Sequence, residues 1–169
     1  MKVCFSIALI FSLFSFPSDS FSQHSCFPVN QGTGQIEIVG RVLLEGKTKD
    51  EIFNKCVTWG TPRMSNLYSE KHEFSSAQGR TIMEKDAGIY KVYFQINYSY
   101  KKGYRSILYA MTIQTGDGYF DYTINDFIMN DKPMLVYLNY KAGDKYYNIA
   151  FEDICQKLYF TIGELRSIQ

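Results

Sequence analysis

The sequence has 169 residues, of which 46% are hydrophobic, 17% aromatic and 21% charged. This length suits one domain and leaves little room for two, and the aromatic-rich, proline-poor composition excludes a disordered or collagen-like chain. The formal net charge is only +1, from 18 basic and 17 acidic residues, which gives no general attraction to nucleic acid or to an anionic membrane. No motif identifies a reaction.

The first 22 residues have the pattern of a secretory signal peptide. Lys2 supplies the positive charge, and residues 3–16 form an apolar run that Pro17 ends. Ser20 and Ser22 are the small residues preferred at the −3 and −1 positions of a cleavage site. A membrane-spanning helix needs about 20 apolar residues. The segment is therefore predicted to be a cleaved signal, which places the protein in the periplasm, at the cell surface or outside the cell.

The cysteines leave several states open. After cleavage the chain keeps Cys26, Cys56 and Cys155, which allow one disulfide in any of three pairings, or none. Because Cys56 and Cys155 fall within the apolar patterns of predicted helices, we favour buried free thiols for both. A lipid-anchored Cys26 is a minority alternative, since residues 23–25 ahead of it do not fit a lipoprotein site. No membrane span is expected after cleavage.

The exported part is predicted to be one domain preceded by a short leader. Residues 23–34 are polar and rich in turn formers, and they form the leader. The domain covers residues 35–169. It opens with a strand over residues 35–45, in which buried apolar residues alternate with polar ones.

A helix follows the first strand. Thr48 and Glu51 have the spacing of a capping box, and apolar residues then recur at helical intervals. The pattern predicts a helix over residues 49–59, stopped by Gly60 and Pro62.

The middle of the chain predicts an antiparallel meander. Residues 61–78 show no clear period and are expected to form a loop. Beyond them the apolar residues alternate with period two, and Gly, Lys and Asp turns separate the strands. The predicted strands are residues 80–84, 89–100, 104–115 and 119–127.

The C-terminal part predicts one more helix. Residues 134–140 are a candidate edge strand, and apolar spacing over residues 147–165 indicates a long amphipathic helix. The element order is therefore β-α-β-β-β-β-α. An antiparallel sheet of about five strands, with both helices on one face, makes a two-layer α+β domain.

Three stretches carry a resemblance to a known family. They read KTKDEIF…W over residues 47–59, EKDAGI over residues 84–89 and TIQTGDGYFDYTINDF over residues 112–127. These stretches resemble a secreted domain family of unknown function, common in Bacteroidetes, with a TATA-binding-protein-like (TBP-like) fold. The resemblance implies an exported domain with a curved sheet and two helices. It implies no catalytic residue.

The residue types that perform catalysis or bind metals form no constellation. A nucleophilic pair of Cys56 and His72 is conceivable, but Cys56 lies on an apolar stripe, and the other histidine, His24, lies near the start of the exported chain. No zinc spacing occurs. Four aspartates along one hairpin invite a calcium interpretation but do not match an EF-hand loop: Asp117, Asp121, Asp126 and Asp131. We expect no catalytic residue, metal or cofactor.

The polar face of the predicted sheet is the candidate ligand surface. It is neutral and rich in amides and hydroxyls, so nucleic acid is not the expected partner, despite the fold that the resemblance implies. Its tyrosines could stack on a sugar or dock a peptide, and an ordinary solvated face is the competing interpretation. The candidate residues are Tyr93, Gln95, Asn97, Gln114, Tyr119, Asp121 and Asn125.

These observations predict a non-enzymatic exported module that binds a protein or glycan of the cell envelope. The alternative is a structural or inhibitor-like domain that pairs with another chain through a strand edge. An enzyme is the third option.

Overall fold

The computed structural model describes residues 26–64, 81–129, 132–134 and 144–168. The predicted signal peptide, His24, His72 and most of the predicted strand over residues 134–140 lie outside the described residues.

The described elements follow the predicted order along the chain, with one helix after the first strand and one helix after the last. Strands β1 to β5 form one antiparallel sheet in the order β1-β5-β4-β3-β2, and β6 pairs with the end of β5. The predicted α+β class is confirmed. The elements are β1 (Ile38–Leu43), α1 (Lys49–Met64), β2 (Ile82–Glu84), β3 (Ile89–Tyr100), β4 (Gly103–Gly116), β5 (Tyr119–Met129), β6 (Lys132–Pro133) and α2 (Lys145–Arg166).

Both helices cover the same face of the sheet, which we call the inner face. On β3 the inner residues alternate with half-exposed ones and are buried, as Tyr90 and Phe94 illustrate. Helix α1 places Trp59 5.6 Å from the Phe94 ring, measured between ring centroids. Helix α2 reaches the same face, where Arg166 donates to the Tyr122 hydroxyl at 2.7 Å. Burying each such aromatic contributes about 1.5–3 kcal/mol, so this two-layer core holds the domain together.

A β-bulge in β5 escaped the sequence analysis. Opposite β4, Ala110 pairs with Asn125 whereas Leu108 pairs with Ile128, so β5 carries one additional residue. Asp126 lies there with a φ of 53°, in the left-handed region that aspartate tolerates better than most residues. The bulge changes the parity of the strand, and Phe127 therefore joins the inner face.

Helix α1 begins as predicted and ends later than predicted. The capping box forms, with the Thr48 N–H donating to Glu51 at 2.9 Å and the Glu51 N–H donating to the Thr48 hydroxyl at 3.3 Å. The predicted stop at Gly60 is wrong, because the helix continues to Met64. Gly60 instead marks close packing, since a Cβ there would lie 2.7 Å from the buried Tyr90 ring.

The described part of the predicted leader packs against the domain. Cys26 and Phe27 are buried, and the Phe27 ring lies 6.0 Å from Phe127 and 6.2 Å from Phe151. Cys26 forms a disulfide with Cys155, with Cα atoms 5.8 Å apart. Residues 26–34 therefore anchor the chain to the core rather than merely precede it.

The disulfide corrects the prediction of two free thiols. Cys155 is only partly buried on α2, within reach of Cys26, whereas Cys56 is fully buried and free. The apolar periodicity of α2 could not reveal this contact, because the partner comes from the other end of the chain. A sulfur in a disulfide cannot also hold a thioether-linked lipid, so the structure opposes the lipid-anchor alternative at Cys26.

The disulfide generates a first prediction. In a chain starting at residue 23, thiol titration of the unfolded, unreduced protein should detect Cys56 alone. Replacing the pair by Cys26→Ser/Cys155→Ser should lower the free energy of unfolding by about 2–4 kcal/mol, since the bond closes a long loop with a sequence separation of 129. Urea denaturation measures the loss. Detection of all three thiols without reductant would contradict the pairing.

The two helical glycines generate a second prediction with opposite signs. Gly60→Ala should destabilise the protein by about 1–3 kcal/mol, because the Cβ overlaps Tyr90 and the gain in helix propensity is smaller than that cost. Gly163→Ala is the matched control on α2, where nothing lies within 4 Å of the added carbon. It should stabilise by about 0.5–1 kcal/mol in urea denaturation. A Gly60→Ala protein as stable as the parent would refute the close contact.

Candidate functional site

The seven candidate ligand residues all lie on the sheet face opposite the helices, which we call the outer face. Strand alternation puts each of them there, because their neighbours in the chain point to the buried inner side. They do not form one cluster. Tyr119 and Asn125 are about 20 Å apart along β5 at ~3.4 Å per residue. The structure therefore separates two groups, one near the β4–β5 turn and one at the centre of the face.

The first group is organised by an arginine that the sequence analysis did not include. Arg41 on β1 lies opposite Asp121 on β5. Its Nε and Nη2 donate to the two carboxylate oxygens of Asp121 at 2.6 and 2.7 Å. The guanidinium also lies over the Tyr119 ring, 4.3 Å from its centroid. Gln114, opposite Asp121 on β4, donates to the Ala87 carbonyl at 2.7 Å. Arg41 and Asp121 therefore satisfy each other, and Gln114 is engaged by the backbone.

The electrostatics of this first group follow from the bidentate pair. Hydrogen bonds from Arg41 lower the pKa of the Asp121 carboxyl, and the carboxylate raises the pKa of Arg41. Both side chains are well exposed, at 57% for Arg41 and 40% for Asp121, so solvent screens the pair and its net contribution to stability is small. Its role is to orient Arg41 and Tyr119 on the surface.

The second group lies around Ala110 at the centre of the face. Lys91 on β3 approaches Asp126 on β5 to 3.6 Å, and β4 runs between these two strands. Ala110 on β4, between Tyr93 and Asn125 in the cross-strand row, is fully buried although it points outward. The ion pair and its neighbours therefore close this part of the face.

Amides in the second group are also largely engaged. Gln95 donates to the Asn97 side-chain oxygen at 2.8 Å. The Asn125 side-chain oxygen is buried and has no hydrogen-bond partner among the described residues. Neither group is basic, since Arg41 and Lys91 each face a carboxylate. On the predicted ligand face, most polar side chains are thus paired with other groups of the protein.

Exposed apolar residues on β1 are the feature that the sequence analysis missed. Val39 is 65% exposed and Leu43 is 67% exposed, and both point to the outer side together with Arg41. We call these three residues the β1 edge. The available signal was that IVGRVL is apolar at both parities, whereas a strand with one buried face alternates.

Within the described part of the chain, no strand lies on the outer side of the β1 edge, so its backbone is open there as well. Leu44 donates its N–H to Gly118 in the β4–β5 turn at 2.7 Å, so alternate residues of β1 bond β5. The N–H groups of Val39, Arg41 and Leu43 consequently point away from the sheet. Earlier in the chain that outward side is occupied, because Glu37 donates to the Pro28 carbonyl at 3.0 Å.

Catalytic and metal chemistry has little support in the described residues. Burial raises the pKa of Cys56 to about 12, so its thiol is protonated at neutral pH and cannot serve as the predicted alternative nucleophile. Asp117 accepts from the Lys49 N–H at 2.7 Å at the start of α1, which accounts for that residue. Across the described ranges, His, Cys, Asp and Glu side chains do not assemble into a group of three that could hold a metal. Neither described helix is long and apolar enough to cross a membrane.

Comparison with known proteins places the fold. No family model matches the sequence. No curated protein matches it either. A TBP-like protein from Parabacteroides distasonis superposes with a TM-score of 0.57 at 15% identity, over 85% of this chain and 99% of that one. A DUF4468 family protein from Bacteroides ovatus superposes with a TM-score of 0.54 at 12% identity, over 86% of this chain and 92% of that one.

These likenesses confirm the TBP-like fold that the sequence resemblance implied, in neighbours from the same group of bacteria. At such low identity they carry the fold alone, and the function rests on the surface described above.

The bidentate pair generates a third prediction. In a carboxyl-detected NMR titration, the pKa of Asp121 should lie below its ordinary value of 3.8, and Arg41→Gln should raise it towards that value. Because the folded pKa is depressed, the pair's stabilisation is present above the unfolded value of about 3.9 and is lost as the pH falls through the folded pKa. Arg166→Gln, on the inner face, is the control and should leave Asp121 unchanged. An unshifted Asp121 in the parent would rule out the pair in solution.

Proposed function

We propose that this protein is an exported, non-enzymatic module that binds a protein of the cell envelope through the β1 edge. The observation that carries the proposal is the exposure of Val39 and Leu43 on either side of Arg41. Aliphatic side chains around an arginine suit a protein interface, where a desolvated centre with an anchoring cation is common.

Export is supported by two independent features. The N-terminal segment has the signal-peptide pattern, and the Cys26–Cys155 disulfide suits an oxidising compartment, where such bonds form and persist. The periplasm, the cell surface and the medium all meet this condition.

A protein partner is favoured over a glycan by the state of the outer face. Sugar recognition uses free amides, carboxylates and hydroxyls beneath a stacking ring. Here Asp121 is held by Arg41, and Gln95 is bonded to Asn97. Tyr119 is covered by the Arg41 guanidinium. The β1 edge offers apolar area that a sugar would not use.

Strand pairing is the second candidate, and the open backbone of β1 favours it. In β-augmentation, the outward N–H groups of Val39, Arg41 and Leu43 would donate hydrogen bonds to the carbonyl groups of a strand from another chain. Both candidates use the same edge, but one depends on side chains and the other on backbone donors.

A fourth prediction tests the proposed surface. The full chain is expressed in a bacterium, and the exported form should start at Gln23. A photo-crosslinking residue at Leu43 should then capture one envelope protein, while the same residue at Tyr159, 57% exposed on α2, should not. Val39→Asp/Leu43→Asp should weaken binding of that purified protein at least tenfold, as the loss of an interface anchor does. Tyr159→Asp/Phe160→Asp is the control, with the same charge change on exposed residues.

A proline scan separates the two candidates. Val39→Pro removes an outward donor at an edge position where proline is tolerated, so it should abolish strand pairing but spare binding by side chains. Val42→Pro should instead unfold the strand, since its N–H faces β5.

A glycan array tests the alternative ligand. The proposal of a protein partner would be overturned if the protein bound a glycan, if Tyr93→Ala and Tyr119→Ala abolished that binding, and if Leu43 gave no crosslink.

A further inference from the structure

The end of the molecule farthest from the β4–β5 turn concentrates positive charge. The nine residues from Tyr98 to Ser106 contain three cations and no carboxylate. They include the two-residue turn of the β3–β4 hairpin, Lys101 and Lys102, and all residues from 101 to 105 are exposed. The whole chain has a net charge of only +1, so this charge is a local feature.

Aromatic and aliphatic side chains lie beside these cations. Tyr104 is 84% exposed on the hairpin, and the first turns of α2 expose Tyr146 by 49% and Ile149 by 47%. The two elements meet, because the Tyr100 ring lies 6.4 Å from the Tyr146 ring. We call this surface the cationic tip; it comprises Tyr100, Lys101, Lys102, Tyr104, Arg105, Tyr146 and Ile149.

Tyrosine rings lie beside two of the three cations of the tip. The Lys101 Nζ lies 5.4 Å from the Tyr100 ring and 5.7 Å from the Tyr146 ring, and the Arg105 guanidinium lies 4.4 Å from Tyr100. Two carboxylates of this region are occupied elsewhere. Asp144 accepts from the Tyr146 N–H at the start of α2, and Asp153 binds Lys157 and the Ser99 N–H. Among the described residues no carboxylate pairs with Lys101 or Lys102, so both lysines can meet an external anion.

The shape of the tip selects the kind of partner. Sites for small ligands and for sugars are concave and enclose their ligand. The tip is instead the exposed end of a hairpin beside the start of a helix, and it can rest on an extended surface. Tyrosine is enriched where proteins meet the boundary between lipid and water, and lysine side chains reach from there to headgroup phosphates. Attraction to such a surface acts over about 10 Å at ~0.1 M salt, so the local charge of the tip acts on it rather than the net charge of the whole chain.

We propose that the cationic tip docks the protein onto a bilayer surface that carries anionic phospholipid headgroups. Lys101 and Lys102 contact the phosphates, and Tyr104, Tyr146 and Ile149 enter the interfacial layer. Strand β4, with 14 residues, separates the tip from the β4–β5 turn by about 45 Å. Leu43 lies opposite Tyr119 beside that turn. Docking thus leaves this end of the β1 edge directed away from the bilayer.

The test is flotation of the exported protein with vesicles of phosphatidylcholine alone or with about 30% phosphatidylglycerol, at ~0.1 M salt. The tip variant is Lys101→Gly/Lys102→Gln. Glycine suits the φ of 54° at position 101, so this variant should keep the turn. The control is Lys47→Gln/Lys85→Gln, which removes the same charge from two exposed lysines near the opposite end of the sheet.

We expect the parent protein to bind the vesicles that contain phosphatidylglycerol and not those of phosphatidylcholine alone. The tip variant should bind at least tenfold more weakly, and the control variant should bind as the parent does. Three outcomes would overturn the proposal. They are no binding to anionic vesicles, an equal loss in both variants, and tip-dependent binding to a soluble anionic polysaccharide without binding to vesicles. Since the β1 edge is not altered in either variant, these outcomes are independent of the proposed protein partner.

Discussion

The structure depends on the alternation of β3, β4 and β5 between a buried and an open face, which the bulge in β5 shifts by one residue so that Phe127 stays on the buried side. The inner positions of these strands carry mostly aromatic or large aliphatic side chains, and together they present one continuous apolar surface to the helices. An antiparallel sheet with one wet face needs a cover on the other. Helices α1 and α2 provide it, and the contact of Gly60 with Tyr90 shows how closely the first of them approaches.

The N-terminal segment completes this cover from outside the regular elements. Phe27 packs between Phe127 and Phe151, and the adjacent Cys26 is bonded to Cys155 on α2. The disulfide therefore ties α2 to the segment that leads into β1. Because β1 is an edge strand, its position on β5 depends on this tie together with its backbone pairing from Ile38 to Leu43. The same arrangement exposes Val39 and Leu43 and leaves their outward donors free of strand partners among the described residues.

The open face, the β1 edge and the cationic tip differ in their chemistry. The centre of the face is closed by side chains that pair with one another, such as Lys91 with Asp126 across β4. The β1 edge offers apolar side chains and backbone donors, which suit a protein. The cationic tip at the β3–β4 turn carries lysines beside tyrosine rings, which suits an anionic surface.

Local pattern by itself determined the class of fold, the three long strands, both helix starts and the inner face, because period and capping are encoded by neighbouring residues. The bulge at Asp126 depends on the register of two strands, and the continuation of α1 past Gly60 depends on the Tyr90 ring beneath it. Alternation indicated that the seven candidate residues share one side of the sheet, but only the tertiary structure paired Arg41 with Asp121 and separated Tyr119 from Asn125. The Cys26–Cys155 bond and the meeting of Tyr100 with Tyr146 join distant parts of the chain. Contacts of that kind leave no trace in local periodicity, so they were decided only when the sheet and helices packed.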